Sequence, residues 1–101
     1  MNLLRETLDI LSQHGKRLDD VVAICNNSFQ ITKQDFIEYA DMEYDNGYGC
    51  EEINSDLKLI GEDFWLERNT YDGSEWWEYK TFPQYSNLPY KKADEYTLRV
   101  Q

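Results

Sequence analysis

Acidic side chains are the residues of this chain best suited to chemistry, and eight of them are concentrated in one stretch. Between Gln34 and Leu57 there are eight carboxylates and no Lys or Arg. Paired carboxylates can act as the acid and base of a hydrolase or as ligands of Ca²⁺, and they also attract basic surfaces. The eight are Asp35, Glu38, Asp41, Glu43, Asp45, Glu51, Glu52 and Asp56.

Four of these acids imitate a calcium-binding loop only in part. Asp41, Glu43 and Asp45 alternate, and Glu52 stands eleven residues after the first of them. The position that requires glycine in such a loop is occupied by Asn46, and a strand instead of a helix is predicted to follow. The sequence therefore predicts no metal site and no cofactor.

Other catalytic patterns are weak. His14 is the only histidine, and the two cysteines, Cys25 and Cys50, have neither a disulfide framework nor a paired metal-ligand spacing. Glu67 and Glu78 form a carboxylate pair on one face of a predicted hairpin, but 20 acids in 101 residues produce such pairs by chance. We therefore predict that the protein is not an enzyme, with a small hydrolase as an alternative.

Aromatic residues on a predicted β-hairpin form the second group of interest. Asp72-Gly73 is a strong turn signal, and Trp and Tyr flank it. Strand alternation places one set on the predicted core face: Phe64, Leu66, Arg68, Trp77, Tyr79 and Thr81. The opposite face, which two helices could not also cover, carries Trp65, Glu67, Asn69, Tyr71, Trp76, Glu78, Lys80 and Phe82. The binding residues predicted on this hairpin are Trp65, Tyr71, Asp72, Trp76 and Glu78.

A second, acidic contact surface is predicted from five residues: Asp35, Glu38, Asp41, Glu43 and Asp45. With a net charge of -10 and only Lys80 beside Glu67 and Glu78 on the aromatic face, direct binding of nucleic acid is not expected. We predict an unidentified protein partner, for which a basic surface would be suitable, and an exposed strand edge would suit a homodimer. The alternatives are an acidic DNA mimic and a small-ligand or carbohydrate binder that uses the aromatic face.

Two amphipathic helices are expected to position these residues. The first is capped by Asn2 and ended by Gly15, with an apolar arc of Leu3, Leu4, Thr7, Leu8, Ile10, Leu11 and His14. The second is predicted from about Lys33 to Tyr44, capped by Thr32, with a core side of Phe36, Ile37, Tyr39, Ala40 and Tyr44. Glu43 falls on that apolar side, so either the helix ends before it or a buried carboxylate needs a partner.

The remaining elements are predicted strands. Residues 21–25 are apolar and β-branched, with Phe29 and Ile31 as a short extension, and strict alternation begins at Glu52 and continues to Leu59. The hairpin follows, and residues 96–100 could add an edge strand. The fold class is therefore α+β, with two helices packed on one face of a mainly antiparallel sheet of about four strands, in the order αβαβββ.

A single α+β domain is predicted for residues 1–82, followed by an irregular extension at residues 83–101 that begins with Pro83. Charged residues interrupt the first six positions, and no stretch approaches the ~18 apolar residues of a membrane helix. We therefore expect a cytoplasmic protein that does not bind membranes.

Two motifs resemble a known group of proteins. The segment from Glu43 to Gly49, together with Glu67-Arg68 and the stretch from Tyr71 to Glu78, is similar to a family of small acidic proteins of Gram-positive bacteria, their prophages and their mobile elements. The resemblance covers about residues 1 to 82. It implies an accessory protein of a mobile element, and it implies no specific activity.

Overall fold

One antiparallel sheet with helices on one face organises the chain. The computed structural model describes residues 1–47 and 49–100; Tyr48 and Gln101 lie outside the described residues. In chain order the elements are α1 (Leu3–Gln13), a 3-10 turn (Leu18–Asp20), β1 (Val21–Cys25), β2 (Gln30–Ile31), α2 (Lys33–Ala40), β3 (Lys58–Gly61), β4 (Phe64–Tyr71), β5 (Ser74–Thr81) and α3 (Glu95–Leu98). The strand order is β2-β1-β3-β4-β5. The predicted α+β class is confirmed, with five strands because residues 30 and 31 pair back onto β1.

Helix α1 begins and ends as predicted. The side chain of Asn2 accepts a hydrogen bond from the Arg5 amide at 2.9 Å, and Gly15 takes a left-handed φ of 71° after the last turn. The fully buried stripe is Leu3, Thr7 and Leu11. Leu8 is exposed, and His14 is also exposed but stacks on the ring of Tyr79 at 3.9 Å.

Helix α2 is shorter than predicted. The Thr32 hydroxyl accepts from the Asp35 amide at 3.0 Å and caps the start as expected, but the helix ends at Ala40 and not near residue 44. Only two helical turns remain, so Phe36 and Ala40 form the buried stripe. The placement of Ile37 and Tyr39 in the core was wrong, because both lie off this stripe and are exposed.

The alternating segment from Glu52 is mostly a loop, which corrects the prediction of a strand there. The strand β3 starts only at Lys58. Upstream, the amides of Glu52 and Ile53 donate to the carboxylate of Glu75 and not to a neighbouring strand, and a turn joins Leu57 to Asn54. Ile53 is nevertheless buried.

The hairpin turn lies at Asp72-Gly73, as the sequence predicts, and it contains two residues. Tyr71 pairs with Ser74, and Asp72 and Gly73 have φ values of 51° and 84°, which is the pattern of a type I′ turn. The predicted core face is confirmed for its first four members, since Phe64, Leu66, Arg68 and Trp77 are buried, whereas Tyr79 is half-buried and Thr81 is exposed. Helices α1 and α2 supply the other side of this core.

The chain leaves the sheet after β5. Residues 83–94 contain no helix or strand, and the short helix α3 follows. The predicted edge strand at residues 96–100 is wrong, because the backbone hydrogen bonds locally: the Arg99 amide donates to the Glu95 carbonyl at 3.1 Å. Over residues 1–47 and 49–100, no helix is both long and apolar enough to cross a membrane.

Candidate functional site

A buried arginine on the core face of the hairpin joins four parts of the chain. The side chain of Arg68 is 1% exposed and lies between two carboxylates. Its Nη2 donates to Glu75 Oε1 at 3.0 Å, and its Nη1 donates to Glu6 Oε2 at 3.3 Å. The guanidinium carbon lies 4.7 Å from the centre of the Trp77 ring. We call Glu6, Tyr44, Arg68 and Glu75 the buried ionic cluster.

Glu6 brings helix α1 to this cluster and also covers part of a sheet edge. One of its oxygens accepts from the Tyr44 hydroxyl, and the other accepts from the backbone amide of Trp77 at 3.2 Å. Strand β5 is at the end of the sheet, and the amide of Trp77 points outward from it. Glu6 therefore satisfies a donor that an additional strand would otherwise use.

Tyr44 closes the cluster from the loop after α2. Its hydroxyl accepts from Nη2 of Arg68 at 3.1 Å. Burial, followed by the hydrogen bond to Glu6, raises the pKa of Tyr44 to about 12. The phenol is therefore a neutral donor throughout the physiological pH range.

Glu75 ties the loop between α2 and β3 to the hairpin; we call this loop, residues 41–57, the acidic loop. Its side chain is 2% exposed, and its two oxygens accept from the amides of Glu52 at 2.7 Å and Ile53 at 3.1 Å. The amide of Glu75 in turn donates to the carbonyl of Asn46 at 3.0 Å. A Cβ added at Gly73 would lie 3.5 Å from the backbone of Gly49, so the turn itself also packs against this loop.

The buried ionic cluster has little capacity left for acid-base chemistry. All four carboxylate oxygens of Glu6 and Glu75 already accept hydrogen bonds. The one buried polar atom of the cluster without a partner is Nε of Arg68. The two carboxylates are paired with Arg68 and their oxygens already accept hydrogen bonds, so their contribution is to link α1, the hairpin and the acidic loop. We therefore interpret the cluster as structural.

The opposite face of the sheet is covered by neither α1 nor α2. It carries the hairpin residues predicted for it, and the pairing of β3 with β4 adds Lys58 and Ile60 to the same face. Trp65 is half-buried: its indole nitrogen donates to Glu67 at 3.2 Å, and its ring is tilted against Phe82 at 5.1 Å. We call this the open face.

Glu78 is the polar centre of the open face. Asn69 donates to it at 2.6 Å, and Lys80 lies 3.1 Å from its other oxygen. The hydrogen bond from Asn69 and the neighbouring Lys80 lower the pKa of Glu78, and the same carboxylate raises the pKa of Lys80. Both groups therefore stay charged at neutral pH, and the centre of this face is a neutral ion pair.

The structure separates the five predicted hairpin residues from part of the predicted acidic set. Trp65, Tyr71, Trp76 and Glu78 lie on the open face, and Asp72 is at the turn. Asp35 and Glu38 are exposed on α2, which packs on the other face of the sheet.

The other three predicted acids follow α2, and each has a partner elsewhere in the fold or in its own loop. Asp41 accepts from the side-chain amide of Asn2 at 2.9 Å, and Asp45 accepts from the Gly47 amide at 3.0 Å. Glu43 is exposed, forms a β-bridge with Asn2, and lies 3.3 Å from the N-terminal amine. The sequence left two possibilities, a helix that ends before Glu43 or a buried Glu43 carboxylate. The first is correct, because α2 ends at Ala40 and Glu43 is exposed.

Glu75 is the central residue that sequence reasoning missed. Alternation alone places it on the core face, two positions before Trp77, and a carboxylate in that position needs a cation within reach. Arg68 was already assigned to the same face. The diagonal pair could therefore have been read from the hairpin register, whereas the loop amides that complete it could not.

Within the described part of the chain, no group of three or more His, Cys, Asp or Glu side chains is placed to hold a metal ion. Comparison with protein-family models, with curated proteins and with solved structures finds no match to this chain.

Proposed function

We propose that this chain is a non-enzymatic binding protein and that its partner is a protein with a basic surface. The observation that supports the proposal is the attachment of the acidic loop to the hairpin through Glu75. It places the acids of the loop beside a turn that exposes Tyr71 and Asp72.

The chemistry of this end of the sheet suits a protein partner. Tyr71 is 77% exposed, and tyrosine contributes a large contact area with few rotatable bonds. The nearby carboxylates Asp72, Glu51 and Glu52 are exposed and favour Lys or Arg on the partner. We define Tyr71, Asp72, Glu51 and Glu52 as the hairpin end.

The hairpin end can be tested with two double variants that change the net charge equally. Glu51→Gln with Asp72→Asn removes two charges there, and Asn tolerates the left-handed backbone that residue 72 adopts. Asp35→Asn with Glu38→Gln removes two charges from α2. The wild-type protein is first used to capture a partner from the lysate of the cells that make it. The partner is then purified, and its affinity for each variant is measured at low and high salt.

We expect the first double variant to weaken binding about tenfold or more and to reduce its salt dependence, and the α2 double variant to have little effect. Tyr71→Ala and Tyr39→Ala form a second matched pair, since the two tyrosines are 77% and 71% exposed. Only Tyr71→Ala should weaken binding. A loss confined to the α2 variants would place the contact elsewhere and refute the proposal.

Acidic mimicry of DNA is a second candidate, favoured by one observation. Among the ion pairs of the described residues, only Glu43 of the eight clustered acids takes part, and its partner is the N-terminal amine. Equal weakening by both double variants, together with a nucleic-acid-binding partner, would support this candidate over the hairpin end.

A further inference from the structure

The segment after the sheet carries apolar side chains that its own molecule does not bury. Five large residues of the segment are between 66% and 104% exposed: Tyr85, Leu88, Tyr90, Leu98 and Val100. The chain as a whole is extended, with a radius of gyration of 17.2 Å against about 13 Å for a compact chain of this length. We call residues 83–100 the tail.

The composition of the tail is that of a docking segment and not of a spacer. A linker that remains in water is normally poor in aromatic residues. The tail also contains Pro83 and Pro89, which fix their own φ angles and favour extended backbone in the residues before them. A segment restricted in this way loses less conformational entropy when it docks.

A hollow of suitable size lies on the sheet where the tail begins. It has a volume of about 530 Å³, within the usual range for binding pockets. Its lining is mainly apolar and includes Ile60, Trp65 and Phe82, with Lys58 and Glu62 also at the site. Ile60 and Trp65 belong to the open face, which lies opposite the helices α1 and α2.

The charges of the tail and of the rest of the chain are opposite. Residues 83–101 contain three bases and two acids, whereas residues 1–82 contain seven bases and eighteen acids, a net charge of +1 against -11. Lys91 and Lys92 directly follow the aromatic part of the tail. The tail therefore differs in sign of charge from residues 1–82, which favours contact between the tail and a second copy of this acidic domain.

A second copy is a better host for the tail than its own hollow. Phe82 lines the hollow and Pro83 follows at once, so the tail would have to reverse direction immediately to enter the hollow beside its own origin. The hollow of a second copy requires no reversal, and exchange of tails around a twofold axis would form the contact twice.

We propose that two copies of this chain form a dimer in which the stretch from Tyr85 to Tyr90 of each tail occupies the hollow beside Trp65 of the other copy. This interface is separate from the hairpin end. Its test is therefore independent of the proposed function.

The experiment uses the full chain at increasing concentration, with molar mass measured by sedimentation equilibrium. The tail variant is Tyr85→Ala, Leu88→Ala, Tyr90→Ala, and the hollow variant is Ile60→Thr, Trp65→Thr, which retains strand-forming residues. The control replaces three exposed apolar residues of the α2 region: Ile37→Ala, Tyr39→Ala, Met42→Ala. Circular dichroism and thermal unfolding establish that each variant folds.

We expect the wild type and the control to reach twice the monomer mass of 12.1 kDa, and the tail and hollow variants to remain monomers. An equimolar mixture of the two variants should form dimer again, but more weakly than the wild type, because the intact tail of one can occupy the intact hollow of the other and only one of the two contacts forms. A wild type that is monomeric at every concentration overturns the proposal. If the tail variant of such a monomer changes Trp fluorescence, the tail occupies the hollow of its own chain, and the dimer proposal is still wrong. A dimer that persists in the tail variant overturns it as well.

Discussion

Arg68 and Glu75 form a diagonal pair across the hairpin. Their direct partners in the strand register are Trp77 and Thr70, yet Nη2 of Arg68 lies 3.0 Å from Oε1 of Glu75. Both side chains are almost fully buried. Long side chains in adjacent strands reach such diagonal neighbours, so the pair connects the two halves of the hairpin inside the core.

Removal of Arg68 is expected to destabilise the fold strongly. The substitution Arg68→Met keeps much of the side-chain volume but leaves Glu6 and Glu75 buried without a cation, which typically costs about 3–5 kcal/mol. Urea denaturation measures the loss. The control is Lys80→Met on the open face, where the ion pair with Glu78 is exposed to solvent and little change is expected. Similar losses in the two variants would contradict a special role for the buried ionic cluster.

Glu75→Gln is expected to loosen the acidic loop without unfolding the sheet. A glutamine offers one carbonyl oxygen where the carboxylate offers two, so the amides of Glu52 and Ile53 cannot both keep their acceptor. Hydrogen exchange of these two amides should become about tenfold faster or more, equivalent to about 1.4 kcal/mol. Glu78→Gln on the open face serves as the matched control. Unchanged exchange in Glu75→Gln would show that the loop is held by other contacts.

Tyr44 is expected to make the folded state sensitive to alkaline pH. Its pKa is about 12 in the folded protein, against 10.0 for the ordinary phenol. Below pH 10 the phenol is neutral in both states and its contribution to stability is complete. Between about pH 10 and pH 12 the unfolded chain loses the proton first, so this contribution falls as the pH rises.

The variant Tyr44→Phe isolates that contribution. The difference in unfolding free energy between wild type and variant should shrink by about 1 kcal/mol between about pH 8 and pH 11. The other titrating groups are common to both proteins and cancel in this comparison. A difference that stays constant over the interval would mean that the phenol does not keep its proton in the folded state.

Gly61→Ala is expected to disturb the core at the last residue of β3. A Cβ at this position would lie 2.0 Å from the ring of Phe64, a residue that is fully buried and cannot move aside freely. Overpacking of this kind costs about 1–3 kcal/mol. Gly47→Ala is the control, because a Cβ there would meet only the Asp45 carboxylate at 4.0 Å. Thermal unfolding should therefore give a clearly lower midpoint temperature for Gly61→Ala than for Gly47→Ala, and equal midpoints would contradict the overpacking.

Local patterns in the sequence determined much of this fold. The cap at Asn2, the left-handed Gly15 and the Asp72-Gly73 turn each depend on residues within a few positions of one another. Alternation along the hairpin likewise assigned Arg68 and Trp77 to the core face. Such features are readable without a structure because their periodicity and backbone preferences are local.

Tertiary structure decided the features that depend on partners distant in the chain. The alternation from Glu52 resembles a strand, but the backbone there bonds to Glu75, 23 residues later. The apolar residues Ile37 and Tyr39 resemble a core face, but a helix of two turns packs along only one stripe. Glu6 is an ordinary polar residue in the pattern of α1, yet it meets the hairpin 62 and 71 residues away. A periodic pattern shows which side of an element is apolar, whereas the partner of a buried charge is chosen only when the elements pack together.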